Sequence, residues 1–428
     1  DEPSREVAEN LRPLVAGIRG FDEARSLGLD LVFPVTQVFE APFEAPWAGW
    51  IPDWQCKYLP EMFDALERAR RDLHYGLLAT RAPLLALSSR MAINDTYRLF
   101  GERLVPHEWL PFPAVLDAAE KAAVAPRAEY DVPERYFVVC NQWWRHKNHR
   151  LVLEAMRRLP ADAPVCVFTG ATTDPRWPEH FAEMRSMITA YGLDARVRVL
   201  GAVPRLAQIG LMREAIAVIQ PSRFEGWSTV VEEARALGTP LLLSRFPVHL
   251  EQAPPGAQFF DPDAPEELAV LMNEAASGRL SPPKGADQSE YVQSCARRLV
   301  ALARQGRAAY KEERHDPKVL MLDLLRAGSD AFGTPTLPAL RERVVAGCRA
   351  ALRADPAQLA AFQLLSRRGD AQFARSVEAE VIAPTLAKME PDARARFHAA
   401  GGEAPAVSAS NPWRTRLRAV ANRLRSRP

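Results

Sequence analysis

The stretch Pro221–Pro240, PSRFEGWSTVVEEARALGTP, sets Glu225 and Glu233 with seven residues between them around a predicted helix start. That start follows AIAVIQ (Ala215–Gln220), an apolar run of strand length, and Gly226 supplies a tight turn before a helix beginning near Ser228 or Thr229. The free N–H groups of such a helix start point into the crevice beyond the strand ends. The helix dipole adds roughly half a positive charge, so the position favours a diphosphate. Glu225 lies on the turn and Glu233 about two turns into the helix, and carboxylates so placed accept hydrogen bonds from the paired hydroxyls of a sugar or a ribose. In isolation the same spacing is more often two carboxylates that cap and solvate a surface helix.

Three further segments argue against isolation. FEGWSTVVEEARALGTPLLLS resembles the E-x7-E region of retaining glycosyltransferases with the GT-B fold, the glycosyltransferase family 4 or glycosyl transferases group 1 type. The resemblance continues, in the order of that family's donor domain, through Arg135–Met156 (RYFVVCNQWWRHKNHRLVLEAM), Val197–Ser222 and Phe259–Met272. It implies an α/β chain of two Rossmann-like domains, of which the N-terminal one lacks its usual opening strand and Gly-rich loop, followed by a mainly helical C-terminal extension. The implied boundaries are an acceptor-side domain over 1–123, a donor nucleotide-sugar-binding domain over 124–313, a helical extension over 314–400, and a linker with a basic amphipathic tail over 401–428.

The strand pattern agrees with that organisation. From Arg135, strands near Phe137, Val165, Val197, Ala217, Leu241 and Phe259 alternate with amphipathic helical stretches, which predicts a parallel, doubly wound sheet. Ligands of such sheets bind at the carboxyl ends of strands, where the Asn141–Asn148 loop, Gly170, Gly201 and the Glu225 turn fall. In the first 123 residues the pattern predicts a helix near Ser4–Ile18, strands at Leu29–Val35, Trp47–Ile51 and Pro83–Ser89, a helix within Pro60–Arg71, and a helix after Ser89.

The resemblance assigns roles residue by residue. Lys147 matches the lysine that holds the departing diphosphate. The Gly-Arg pair before it is Asn141-Gln142 here, so the family's arginine is missing, and either Arg145 replaces it or Gln142 donates neutral hydrogen bonds. Lys147 and Arg145 are otherwise solvated loop cations before a helix. Glu225 is to orient the donor sugar and Glu233 to read the ribose. The N–H groups of Gly226, Trp227, Ser228 and Thr229 face the diphosphate, and Gly201 with Val203 lines the base pocket. The family's Gly-Leu-Pro is Ser228-Thr229-Val230, whose hydroxyls contact phosphate or cap the helix. Pro52-Asp53 stands where the family often has His-Asp, so Asp53 is either an acceptor-side group or a turn aspartate. Glu232, three residues before Arg235, reads as an exposed ion pair.

The implied reaction is transfer of a sugar from a nucleoside diphosphate-sugar to an acceptor hydroxyl with retention, in bacterial surface glycan or glycolipid synthesis. The nucleotide sugar is a co-substrate, and no cofactor or metal is implied. His146 and His149 have no nearby Cys, Asp or Glu to complete a metal site, and Asp263 with Glu266 has the spacing of a helix cap. The alternatives are a non-catalytic scaffold of the same fold, or a nucleotide-sugar epimerase or phosphorylase.

Composition sets the outer limits. The 428 residues are 47% apolar, enough for real cores in two to three domains. Five scattered cysteines, mostly in apolar segments, predict reduced thiols in a cytoplasmic protein. No apolar run reaches membrane-spanning length, the acidic start DEPSREVAEN is unlike a signal peptide, and the absence of an initiator Met suggests a chain cut from a longer one. The formal charge is +2, but Asn411–Pro428 holds six arginines and no acid, leaving −4 on the rest. Trp413, Leu417, Val420 and Leu424 form a stripe among those arginines. That pattern fits peripheral attachment to an anionic membrane, a partner groove or a disordered basic tail; nucleic acid is not expected, since no stacking aromatics accompany it.

Overall fold

The structure, a computed structural model, describes residues 29–36, 46–280, 288–310, 378–399 and 401–403, with the isolated positions 356, 359, 360 and 363. The predicted helix near Ser4–Ile18, most of the predicted helical extension between 314 and 377, Cys348 and the basic tail from Trp413 lie outside the described residues. Two compact units divide the chain, Asp1–Val38 with Phe43–Lys311, and Phe39–Pro42 with Glu312–Pro428.

The first unit holds two parallel sheets, the second of them the sheet that the strand pattern from Arg135 predicts. Its first sheet runs β1 (Val32–Val35), β2 (Trp47–Ile51), β3 (Leu85–Leu87) and β4 (His107–Trp109) in chain order. The second comprises β5 (Tyr136–Cys140), β6 (Val165–Thr169), β7 (Val197–Gly201), β8 (Ala217–Gln220), β9 (Leu241–Ser244) and β10 (Gln258–Phe260). Their order across the sheet is β10-β9-β8-β5-β6-β7, so the winding reverses between β5 and β8. All six predicted strands of this sheet are present.

Parallel strands covered on both faces read as continuous apolar runs, and YFVVC of β5 is buried at every position. Alternation then sorts the faces. Phe137, Val139, Cys166, Phe168, Ile219 and Leu242 pack with the helices His149–Arg158, His180–Ala190 and Pro265–Ala276. Tyr136, Val138, Val167, Val218, Leu241 and Leu243 pack on the other face with Arg205–Glu214 and Thr229–Leu237. Each large apolar side chain so enclosed contributes about 1.5–3 kcal/mol.

Two details of the first half differ from the sequence reading. The predicted helix within Pro60–Arg71 is a 3-10 turn, Pro60–Met62, followed by a helix over Ala65–Arg81. Asp64 sets that start, its Oδ1 accepting from Glu67 N at 2.8 Å. The strand β4 was not anticipated, because three residues reading His-Glu-Trp carry no apolar run. The long helix Ser289–Ala309 packs on the first sheet, where Leu302 joins Ala48, Leu84 and Ala86. Gly306 permits that contact, since a Cβ there would lie 2.8 Å from Leu31 Cδ1.

In the second unit the described residues are helical, as expected of an extension: a π-turn at Glu378–Ile382 and helices at Ala383–Ala387 and Pro391–Ala399. Gln363 Nε2 donates to Glu378 Oε1 (2.9 Å) and to Glu403 O (2.7 Å), and Phe397 is fully buried. No helix among the described residues is long and apolar enough to cross a membrane.

Candidate active site at the strand reversal

Between β5 and β8 the connecting loops leave in opposite directions, so the ends of these two strands open a crevice into which helix starts point. β5 ends at Cys140 and hands over to Asn141; β8 ends at Gln220. Asn141 Nδ2 donates to Gln220 Oε1 at 2.6 Å, closing the gap between the strands beneath the crevice. Gly170, after β6, is held at φ +109°, and a Cβ there would stand 2.3 Å from Asn141 O, so only glycine lets the two loops pass.

Lys147 and Glu225 meet at this point. Lys147 ends a 3-10 turn, Arg145–Lys147, closed by Asn148 in the left-handed region at φ 57°. Asn148 Nδ2 donates to Pro221 O (3.2 Å) and Pro262 O (2.9 Å), which ties the lysine loop to the loop after β8. Lys147 Nζ lies 2.7 Å from Glu225 Oε1, and Gln220 Nε2 donates to the same oxygen at 3.0 Å. Burial pushes the Glu225 carboxyl up, but the Lys147 ammonium outweighs it with help from its hydrogen bond. The net pKa is below the usual value, and the group is ionised.

The helix Thr229–Leu237 starts directly beyond, with Ser228 as its N-cap residue. The Ser228 side chain does not cap: its Oγ accepts from Gln220 Nε2 at 3.0 Å. Gln252 holds the Ser228 backbone from the other side, donating to its carbonyl (2.9 Å) and accepting from its N–H (3.3 Å). The first helical N–H bond is Glu232 N to Ser228 O, so the N–H groups of Thr229 to Val231 are the donors that a helix start leaves for a ligand.

Glu233, one helical turn further in, is buried and accepts from Arg205 Nη1. Arg205 also binds Glu120 Oε1 at 2.8 Å. Gly201 sits at φ +70° at the end of β7, with its carbonyl accepting from Gly170 N at 2.7 Å, and Val203 follows in the loop leading to Arg205. Lys147, Glu225 and the helix start therefore meet at the ends of β5 and β8, and Glu233 pairs with Arg205 beyond the end of β7.

Asp53 reaches the crevice from the first sheet. Its Oδ1 accepts from Gln55 N at 2.8 Å, so it does make the turn, and a Cβ on Gly226 would stand 2.9 Å from Asp53 Oδ2 and 2.6 Å from Pro52 O. Burial raises the Asp53 pKa, with the Gln55 N–H and Arg71 working against it. Trp227 faces the same side: its indole N–H donates to Phe112 O at 2.9 Å, beyond β4. Gln142 and Arg145 are exposed at the crevice mouth, Arg145 lying over the Trp177 ring at 5.2 Å.

Three expectations need correction. The Ser228 N–H, expected to face the diphosphate, is taken by Gln252 Oε1 at 3.3 Å. Glu232 is 1% exposed, where an exposed ion pair was expected: it keeps Arg235 at 3.3 Å but also accepts from Gln252 Nε2 at 2.8 Å, because the helix Pro247–Gln252 covers it. Asp263 does not cap the helix after it, whose N-cap is Ala264; it pairs with Arg223 at 2.6 Å instead. The two tryptophans of NQWWRHKN divide, Trp143 being fully buried and stacked on His149 at 4.2 Å, Trp144 half-buried under the Arg176 guanidinium at 4.8 Å. Gln220, Gln252 and Arg205 were not singled out, and Asn141 was noted only as standing with Gln142 in place of the Gly-Arg pair. A glutamine ending the apolar run AIAVIQ was the visible sign of the Gln220–Asn141 contact, because a buried amide needs partners.

Residues 126–293 match the family described as glycosyl transferases group 1. Among solved structures, sucrose-phosphate synthase from Thermosynechococcus elongatus aligns at 19% identity over 63% of this chain and 69% of its own, with a TM-score of 0.51. A glycosyltransferase from Rickettsia africae aligns at 14% identity over 74% and 84%, with a TM-score of 0.46. HepE from Anabaena, in complex with UDP-glucose, aligns at 18% over 65% and 71%, with a TM-score of 0.44. At its identity the first likeness establishes architecture alone, and the other two scores are too low to carry weight. No curated protein sequence matches the chain.

Proposed function

We propose, from the match of residues 126–293 to the family described as glycosyl transferases group 1, that the chain transfers a sugar from a nucleoside diphosphate-sugar to an acceptor hydroxyl with retention of configuration. The observation that carries the reading is the 2.7 Å pair between Lys147 Nζ and Glu225 Oε1 at the strand reversal, directly before the start of the helix Thr229–Leu237. An ammonium and free helix N–H groups suit a departing diphosphate, and an ionised carboxylate beside them suits the hydroxyls of the sugar it carries.

In this reading the acceptor oxygen bonds to the anomeric carbon on the face from which the diphosphate departs. The bond from that carbon to the diphosphate oxygen breaks, and the leaving phosphate takes the acceptor's proton. No protein nucleophile is needed. Lys147 and the N–H groups of Gly226, Trp227 and Thr229 hold the phosphates, Glu225 orients the sugar, Glu233 meets the ribose, Gly201 and Val203 line the base pocket, and Asp53 faces the acceptor. Lys147 and the helix start supply the charge compensation, so the reading places no divalent cation in the reaction. The acceptor is a glycan or lipid-linked sugar of bacterial surface synthesis, reached from the cytoplasmic side.

Thermal denaturation with UDP, GDP, ADP and dTDP, and with a common sugar nucleotide of each, tests this. One base should stabilise the chain by about 2.7 kcal/mol at a hundred times its Kd. Its sugar nucleotide should then release the diphosphate only when an acceptor is added. Stabilisation by none of the eight contradicts the reading, and binding without turnover supports a non-catalytic scaffold of the same fold.

A further inference from the structure

Gln220, at the end of β8, is 1% exposed, and every polar atom of its amide has a partner. Oε1 accepts from Asn141 Nδ2 at 2.6 Å, and Nε2 donates to Glu225 Oε1 and to Ser228 Oγ, both at 3.0 Å. The orientation is unique. An ionised carboxylate only accepts, so Nε2 must face Glu225, and the carbonyl oxygen is then left for Asn141. Lys147 and Gln220 both end on Oε1 of Glu225, and Oε2 receives neither. Asn141 stands where the family resemblance places a glycine, and its side chain is what fixes the amide.

We propose that Gln220, oriented by Asn141, is a positioning residue that locks Glu225 with Oε2 turned to the donor sugar and ties it to Ser228 at the start of the diphosphate-binding helix. The inference deepens the proposed function and rests on it. Through one amide, the group that reads the sugar and the groups that hold the phosphates keep a fixed spacing. Without that amide Glu225 follows the flexible Lys147 stem, so recognition of the sugar weakens while the helix start still binds phosphate.

Calorimetry on the intact chain with UDP and UDP-glucose, GDP and GDP-mannose, ADP and ADP-glucose, and dTDP and dTDP-glucose identifies the pair that binds. With that pair, Gln220→Leu should lose roughly tenfold in affinity for the sugar nucleotide, the scale of one hydrogen bond to a charged group, and less than about threefold for the nucleoside diphosphate. Asn141→Gly, which leaves the apolar core filled, should give a smaller loss with the same selectivity. In a Glu225→Gln background neither substitution should change the ratio further. Equal losses for both members of the pair, or an undiminished effect in the Glu225→Gln background, overturn the proposal and make Gln220 a structural residue only. If the unaltered chain binds none of the eight, the function reading fails, and carboxyl NMR of the free protein decides on Gln220 by itself. Gln220→Leu and Asn141→Gly must both raise the pH at which Glu225 titrates; an unmoved titration overturns the positioning role.

Discussion

Glu232 and Glu233 differ by one position and by about 100° around their helix, and the structure gives them separate surroundings. Glu233 pairs with Arg205 and Gln208, whereas Glu232 is enclosed with Gln252 and Arg235, its pKa raised by burial ahead of the opposing Arg235 charge. A hydrogen bond from ribose to a charged carboxylate is worth about 1.5–3 kcal/mol, so Glu233→Gln should weaken nucleotide binding by roughly 10- to 100-fold. Glu232→Gln should leave that affinity within about threefold, and titration calorimetry on the two variants checks the order. Separate surroundings for the pair were legible in the sequence, because a helix turns neighbouring positions about 100° apart. The spacing did not reveal that Glu232 is covered, since the helix that covers it, Pro247–Gln252, lies beyond another strand in the chain.

At the scale of elements, the inner strands β5, β6, β8 and β9 were legible because burial on both faces makes them largely apolar, and the edge strands β7 and β10 by their place in the strand–helix alternation, while β4, at three residues, carries too little pattern to be seen. The loop between β5 and the helix His149–Arg158 was legible in its lysine but not in its histidines. His146 and His149 are both buried, and burial, followed by neighbouring cations or histidine, pushes each down to about 3. The unfolded chain takes up protons on these rings below about pH 6.5, where the folded chain does not. Their stabilising contribution is therefore complete above that pH and is lost as pH falls toward 3, by at most about 1.4 kcal/mol per pH unit for each ring. Asp53, Asp72, Asp95, Glu232 and Glu251 have raised pKa values and act in the opposite sense, gaining stability on acidification. Those groups are common to the unaltered chain and to His149→Gln. Urea unfolding of both between roughly pH 6 and pH 4 should show a shallower decline in the variant, and parallel slopes would contradict a neutral buried His149.

Across the first unit as a whole, the two sheets meet at points that no local pattern announces. Gly226 lies against Pro52 and Asp53, Trp227 binds Phe112 O, and both Glu251 carboxylate oxygens accept from Arg90 N at 2.8 Å, at the start of the helix Arg90–Phe100. Each joins residues more than a hundred positions apart, so the sequence showed the parts of the site and not their mutual fit. Asp53 is the clearest case: the spacing left it between a turn residue and a site residue, and the structure gives it the turn and brings it to the Glu225–Gly226 corner. The central claim is that this corner is where a nucleoside diphosphate binds. A crystal structure of the chain with the nucleoside diphosphate that stabilises it tests this most directly. The account expects phosphate oxygens within about 3 Å of Lys147 Nζ and of the N–H groups of Gly226, Trp227 and Thr229, with the ribose against Glu233. A diphosphate bound elsewhere, with the Lys147–Glu225 pair and the helix start untouched, would contradict it.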